Sequence, residues 1–280
     1  MTGYQHLVDP ELLEAAQITR ETTASFTPMT LSKLARRRAL IKEHGLPPLD
    51  DVPYNLERIT RSGPSAGLPE VPVYVINAKP GRSGPGILHL HGGGFTASSA
   101  RQGLRLVQAL ARDLDCPVVS VDYRLAPEAR WHESLEDNYC ALLWVHEQAH
   151  ALGIDPQRLA VAGESAGGGH AALLALAARD RGEVPIAFQC LTYPMLDDRS
   201  GTSRAIADHI GFYGWNGDAN RFGWECFLGC NPGGPAVPAE AVPSRHENLG
   251  GLPSTWIAVG ALDCVSSQSE RGSAGFEDFL

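Results

Sequence analysis

The feature that most restricts how this chain can fold is the pentapeptide Gly163-Glu164-Ser165-Ala166-Gly167. An apolar run, Leu159-Ala160-Val161-Ala162, leads into it, and an Ala/Leu-rich run leads out of it to residue 178. The first has the composition of a buried strand and the second that of a buried helix. A strand that becomes a helix within so few residues must bend sharply, and only small residues fit beside the bend. G-x-S-x-G in this setting is the pattern of a nucleophile elbow. The bend strains the serine backbone and lifts the Ser165 hydroxyl clear of the sheet. It also places that hydroxyl at the positive end of a helix dipole.

Strand and helix signals alternate around this turn. Residues 71–77, 86–91, 117–122, 158–163, 187–194 and 254–260 read as short strands rich in branched apolar residues. Residues 104–114, 134–152 and 165–178 read as helices between them. Such alternation predicts βαβ units and a mostly parallel sheet flanked by helices, an α/β fold. Residues 1–45 read as helical, opening at Asp9-Pro10-Glu11-Leu12 and resuming at 31–42. The basic residues Lys33, Arg36, Arg37 and Arg38 of the second helix read as a solvated face. Residues 204–244 break the rhythm, being rich in Trp, Phe, Gly and Pro, with a helix near 218–228. The expected organisation is N-terminal cap helices over 1–45 and one catalytic domain over 46–280, with a cap insertion at about 204–244.

A second glycine motif, His91-Gly92-Gly93-Gly94-Phe95, follows the strand Ile87-Leu88-His89-Leu90. Acyl transfer needs backbone N–H donors where the oxyanion develops, and glycines let the backbone approach a substrate closely. Gly93, Gly94 and Ala166 are the expected donors, with Gly92 shaping the turn. A phosphate-binding loop is the rival reading, but neither the G-x-G-x-x-G spacing nor a Walker lysine accompanies this one.

Composition narrows the function further. Hydrophobic residues make up 43% of the 280, enough for a sizeable core. A net charge of −9 argues against nucleic acid as a partner and gives no hold on an anionic membrane. No basic region followed by an apolar run opens the chain, and stretches such as 171–178 are too short to span a bilayer. A cytoplasmic location without membrane insertion is therefore expected. The six cysteines then read as free or buried thiols. Cys226 and Cys230 are spaced to share a metal, but no second pair completes a site, so neither metal nor cofactor is expected.

Four motifs in order, HGGGF at 91–95, DYRLAPE at 122–128, GESAG at 163–167 and YPMLD at 193–197, resemble those of the bacterial esterases related to hormone-sensitive lipase. These belong to the α/β-hydrolase fold. The resemblance extends from about residue 71 to 263. It implies hydrolysis of carboxylic esters with short to medium acyl chains, with a small-molecule ester as partner and a homo-oligomer left open. It implies a cap over the site, Arg124 and Glu128 as polar supports with Tyr123 packed nearby, and His91 as part of the oxyanion loop. Glu164 stands where the family often has Asp. Gly260-Ala261-Leu262-Asp263 matches the family's acid loop, so Asp263 is the expected triad acid. Asp197 and Asp198 follow the preceding strand and come too early.

The base is the departure. The chain order for this fold is serine, acid, histidine, and no histidine follows Asp263. The remaining residues are too few for a crossover helix and a final strand, so the sequence reads as C-terminally truncated, with residues 255–259 left as a sheet edge. His209 and His246 are the first substitutes to consider. Two rival readings follow: a small-ligand-binding relative that has lost its base, as the plant gibberellin receptors have, or an inactive truncated product.

Overall fold

The computed structural model describes residues 3–59 and 70–265. Seven strands form one sheet: β1 (Tyr54–Ile59), β2 (Val71–Ile76), β3 (Gly84–Leu90), β4 (Val118–Val121), β5 (Ile154–Glu164), β6 (Phe188–Thr192) and β7 (Ser254–Ala258). Their order is β1-β2-β4-β3-β5-β6-β7. The strands from β4 to β7 are parallel, and β1–β2 and β2–β4 pair antiparallel. The chain passes from β3 to β4 on one side, then crosses to β5 on the other side of β3. The winding direction thus reverses between β3 and β5. A crevice opens at such a point beyond the carboxyl ends of the strands, and ligands of open α/β sheets bind there. The two loops that leave those ends are the two glycine motifs.

Helices cover both faces. Side chains alternate along each strand, so neighbouring residues enter different cores. Ile76, Ile87 and Val118 meet Leu104, Val107 and Ala111 of α3 (Ala100–Asp113) on one face. On the other, Val73, Val75, Leu88, Leu90, Val119, Val121 and Val161 meet α4 (Trp131–Glu147) and α6 (Ala166–Arg181) through Leu142, Val145 and Leu174. α3 is capped by the Ser99 side chain, which accepts from the Gln102 amide.

A third apolar cluster joins the N-terminal helices to the 204–244 segment. It joins Phe26 and Met29, between α1 (Leu13–Ala24) and α2 (Leu31–Glu43), to Phe222, Trp224 and Phe227 of α7 (Gly217–Leu228). Asn216 caps α7 by accepting from the Ala219 amide at 2.9 Å. Two fully buried aspartates tie the insertion to the sheet. Asp197 accepts from Arg199 (2.7 Å) and Arg204 (2.8 Å), and Asp198 from Arg245 (2.7 Å) and the Gly233 amide (2.6 Å). These contacts give both a structural role.

Some expectations need correction. β1 was not anticipated, because Ile59 is its only buried residue while Tyr54 and Leu56 face outward. The helix expected over 134–152 is interrupted at Gln148, and a separate turn of helix, α5, spans Ala149–Leu152. β7 ends the sheet order among the described residues, with Trp256 49% exposed. The expected absence of a further strand and helix falls on residues 266–280, which lie outside the described residues.

Candidate active site

Ser165 sits at the junction of β5 and α6 with φ +56°, a backbone conformation that L side chains rarely adopt. Neighbouring elements hold it there. Its amide donates to Thr192 O of β6 (2.9 Å), and its carbonyl accepts from Gly169 (3.1 Å) and Met195 (2.9 Å). The flanking glycines are required by packing. A Cβ on Gly163 would lie 2.4 Å from the Gly167 backbone, and one on Gly167 would lie 2.0 Å from Leu90 O.

The 91–95 loop leaves β3 on the same sheet edge. A Cβ on Gly92 would come within 3.4 Å of the Ser165 Cβ, so the two motifs are in contact. Gly93 (φ +129°) and Gly94 (φ +63°) adopt conformations favouring glycine. A side chain on Gly94 would collide with Trp215, 2.2 Å away. The Gly92 carbonyl is held by His91 Nδ1 (2.8 Å) and the Gly93 carbonyl by the Ala97 amide (3.1 Å). Among the described residues the amides of Gly93, Gly94 and Ala166 have no protein acceptor.

Glu164 joins the two loops. One carboxylate oxygen accepts from the Gly92 amide (2.8 Å) and the other lies 2.9 Å from His89 Nε2. Burial pushes this carboxyl up, but His89 and the Gly92 amide outweigh burial and hold it below the usual glutamate range. The other side of the His89 ring meets the Ser120 hydroxyl at 3.0 Å. His91 is buried and stacked on Tyr123, whose hydroxyl donates to the His91 carbonyl (2.5 Å). Burial lowers the His91 pKa. Arg124 grips Asp137 through Nε (2.9 Å) and Nη2 (2.9 Å), while Glu128 pairs with Arg38 (2.7 Å).

That last contact corrects the solvated-face reading of α2. Arg38 also donates to Thr96 O (2.8 Å) and Ala126 O (3.0 Å). Arg37 donates to Thr96 Oγ1 (3.2 Å) and Gly93 O (3.4 Å), and burial together with Arg38 lowers its pKa to about 10. Two arginines therefore hook α2 onto the loop at residues 93–96. Charge patterning does not separate them from a solvated row, because their acceptors are backbone carbonyls and one hydroxyl as well as a carboxylate. Trp215 belongs to no motif, and the sequence marks only the aromatic-rich segment around it.

Asp263 lies on the loop after β7, two strands from Ser165 in the sheet order. Its carboxylate accepts from the Val265 amide (3.1 Å), and burial raises its pKa. It borders a cavity of about 260 Å³ shared with Ala16, Thr19, Tyr213, Trp215 and Leu262. Burial raises the Tyr193 phenol, and both Glu164 and Asp263 add to that effect, so the phenol shares the field of the two carboxylates.

His209 packs edge-on against Tyr4 at 5.7 Å. His246 is influenced by Arg179, Asp180 and Glu240, at the end of α6 opposite to Ser165. His170 is enclosed by Phe95 (5.3 Å), Tyr123 (4.4 Å) and Phe227 (5.3 Å), with its pKa lowered to about 3 by burial and by His91. Among the described residues no helix is long and apolar enough to cross a membrane.

Comparison with known proteins agrees with this architecture. A family model described as α/β-hydrolase fold matches residues 87–278. Esterase LipI of Mycobacterium tuberculosis is 39% identical over 200 residues, which are 67% of this chain and 58% of that protein. Hormone-sensitive lipase of Homo sapiens is 36% identical over 124 residues, 43% of this chain and 11% of that one. Among solved structures, a bacterial heroin esterase superposes with a TM-score of 0.82 at 34% identity, covering 98% of this chain and 84% of that one. The chain belongs to the α/β-hydrolase fold family, among the bacterial esterases similar to hormone-sensitive lipase. It spans 58% of the length of LipI, a little over half.

Proposed function

We propose that this protein hydrolyses carboxylic esters of short to medium acyl chains through an acyl-enzyme on Ser165. The observation that carries the reading is the contact of the two glycine motifs at the sheet switch point, with three unspent backbone donors beside one serine. Ser165 Oγ attacks the ester carbonyl, and the carbonyl oxygen takes the negative charge facing Gly93, Gly94 and Ala166. The intermediate collapses by expelling the alcohol, leaving the acyl group on Ser165, and water then releases the acid. Asp263 is the group that would orient an imidazole. No cofactor enters this scheme.

A serine hydroxyl at its ordinary pKa is a poor nucleophile without a base to take its proton. His91 and His170 are buried, His209 packs against Tyr4, and His246 lies at the end of α6 opposite to Ser165. The 280-residue chain is therefore expected to hydrolyse activated esters near background. Loss of a triad histidine costs ~10⁶ in turnover, and ~10³–10⁴ over water remains from the oxyanion hole and binding. The same shortage favours a second reading, a small-ligand-binding protein that keeps the pocket without turnover.

The test is p-nitrophenyl acetate hydrolysis by the 280-residue chain and its Ser165→Ala variant. Near-background rates in both, with saturable binding of a non-hydrolysable ester analogue, support the second reading. Ordinary esterase rates abolished by Ser165→Ala would establish that a base reaches Ser165 and would overturn the expectation of near-background turnover.

A further inference from the structure

We infer that Arg37, carried by the cap helix α2, is a positioning residue for the oxyanion donor Gly94. The inference rests on the hydrolase reading of the same site. In a trans peptide the C=O and the next N–H point in opposite directions. Whatever holds the Gly93 carbonyl therefore aims the Gly94 amide. That carbonyl receives the Ala97 amide (3.1 Å), the Thr96 amide (3.4 Å) and Arg37 Nη1 (3.4 Å). The first two donors come from the loop itself. Arg37 is the one that comes from the cap.

The surroundings of Arg37 fit this task better than they fit a surface ion pair. Arg38, the next residue, spends its guanidinium on Glu128 with two bonds of 2.7 and 2.8 Å. Arg37 has no carboxylate partner among the described residues, and its bonds go to Gly93 O and Thr96 Oγ1. Removing a guanidinium from water is costly unless its donors are used, so an arginine held here without an acid spends its charge on the loop. Its guanidinium also lies 5.5 Å from the centre of the Trp215 ring, within range of a cation–π contact. That ring occupies the space beside Gly94, where a Cβ would meet it at 2.2 Å. Two parts of the cap thus fix one peptide, Arg37 from its carbonyl side and Trp215 from its Cα side. Seating of the cap is thereby coupled to the direction of an oxyanion donor.

A spectroscopic test reads the peptide directly. The sequence holds six Gly–Gly peptides, at 92–93, 93–94, 167–168, 168–169, 233–234 and 250–251. Labelling the 280-residue chain with glycine carrying ¹³C at the carbonyl and ¹⁵N at the amide makes these peptides the ones visible in an HNCO spectrum. Arg37→Met should move the ¹³C′ of the 93–94 peak upfield by more than its linewidth and leave the 233–234 and 250–251 peaks in place. Arg37→Lys keeps the charge without the planar fork and should move the same peak in the same direction. It decides the matter if Arg37→Met does not fold. Arg38→Met loosens the same helix without touching Gly93 and should move the 93–94 peak less. An unmoved 93–94 peak in folded Arg37→Lys would overturn the inference, as would an equal shift in Arg38→Met. In any form with Ser165-dependent turnover, kcat should fall about tenfold with KM little changed, short of the ~10²–10³ cost of deleting a whole donor. The spectrum is independent of turnover, so failure of the hydrolase reading would show separately, as turnover well above background that survives Ser165→Ala.

Discussion

Lowering the pH from 7 to 5 should destabilise this protein through a histidine that cannot take up its proton while folded. His170 is 1% exposed, walled by Phe95, Tyr123 and Phe227, and its pKa is lowered to about 3. The unfolded chain protonates the same ring near 6.5. The unfolded state therefore binds more protons between these values, and stability is present above about pH 6.5 and lost progressively as pH falls toward 3. Each unit of the window is worth about 1.4 kcal/mol, so the descent from 6.5 to 5 costs about 2 kcal/mol. His91 is lowered in the same direction by burial and adds to the loss. Urea unfolding of wild type and His170→Met at pH 7, 6 and 5 measures the effect. Methionine keeps an apolar, polarisable side chain among the three rings and does not titrate. The two proteins should converge in stability toward pH 5 by about 2 kcal/mol relative to pH 7. Parallel losses would mean that His170 takes up its proton in the folded state, and the neutral-cage argument would fail.

Ser165→Gly should raise the urea midpoint by the equivalent of about 1 kcal/mol, because glycine accepts φ +56° without the cost that serine bears there. An unchanged or lower midpoint would show that the elbow is not strained. Asp197→Asn should lower stability by about 3–5 kcal/mol, since it leaves Arg199 and Arg204 without their shared buried partner. A loss below about 1 kcal/mol would show that water replaces the carboxylate.

The parallel strands were legible because burial on both faces writes continuous apolar runs into the sequence, as in 159–162 and 118–121. β1 was not, because an edge strand with outward Tyr54 and Leu56 carries no such run. The glycine motifs were legible because each local bend admits no other residue at its tightest points, as Gly163 and Gly167 show. Arg124 and Glu128 stand out in their motif, but the partners they pair with, Asp137 and Arg38, could not be read from spacing. Arg37 lies 56 residues from Gly93 in sequence, and a bond from a side chain to a distant carbonyl leaves no periodicity to detect. His89 is buried, and its contact with Glu164, 75 residues away in sequence, leaves no local pattern to read.

These contacts share a logic. A peptide can offer its N–H to an oxyanion only if its other half is held elsewhere. In the 92–94 loop the Gly92 carbonyl is held by His91, which frees and aims the Gly93 amide. The Gly93 carbonyl is held by Ala97 and Arg37, which does the same for Gly94. The Gly92 amide, by contrast, is consumed by Glu164. Donors fixed in this way need no reorganisation when charge develops, which is where electrostatic stabilisation of a transition state comes from. The glutamate before the serine then has a physical rationale. β5 and β3 are adjacent strands, and the carboxylate must cross between them to meet both the Gly92 amide and the His89 ring. The extra methylene of glutamate over aspartate gives it that reach. Ser120, His89 and Glu164 thus form a line of bonds from β4 through β3 to β5 that ends on the Gly92 amide.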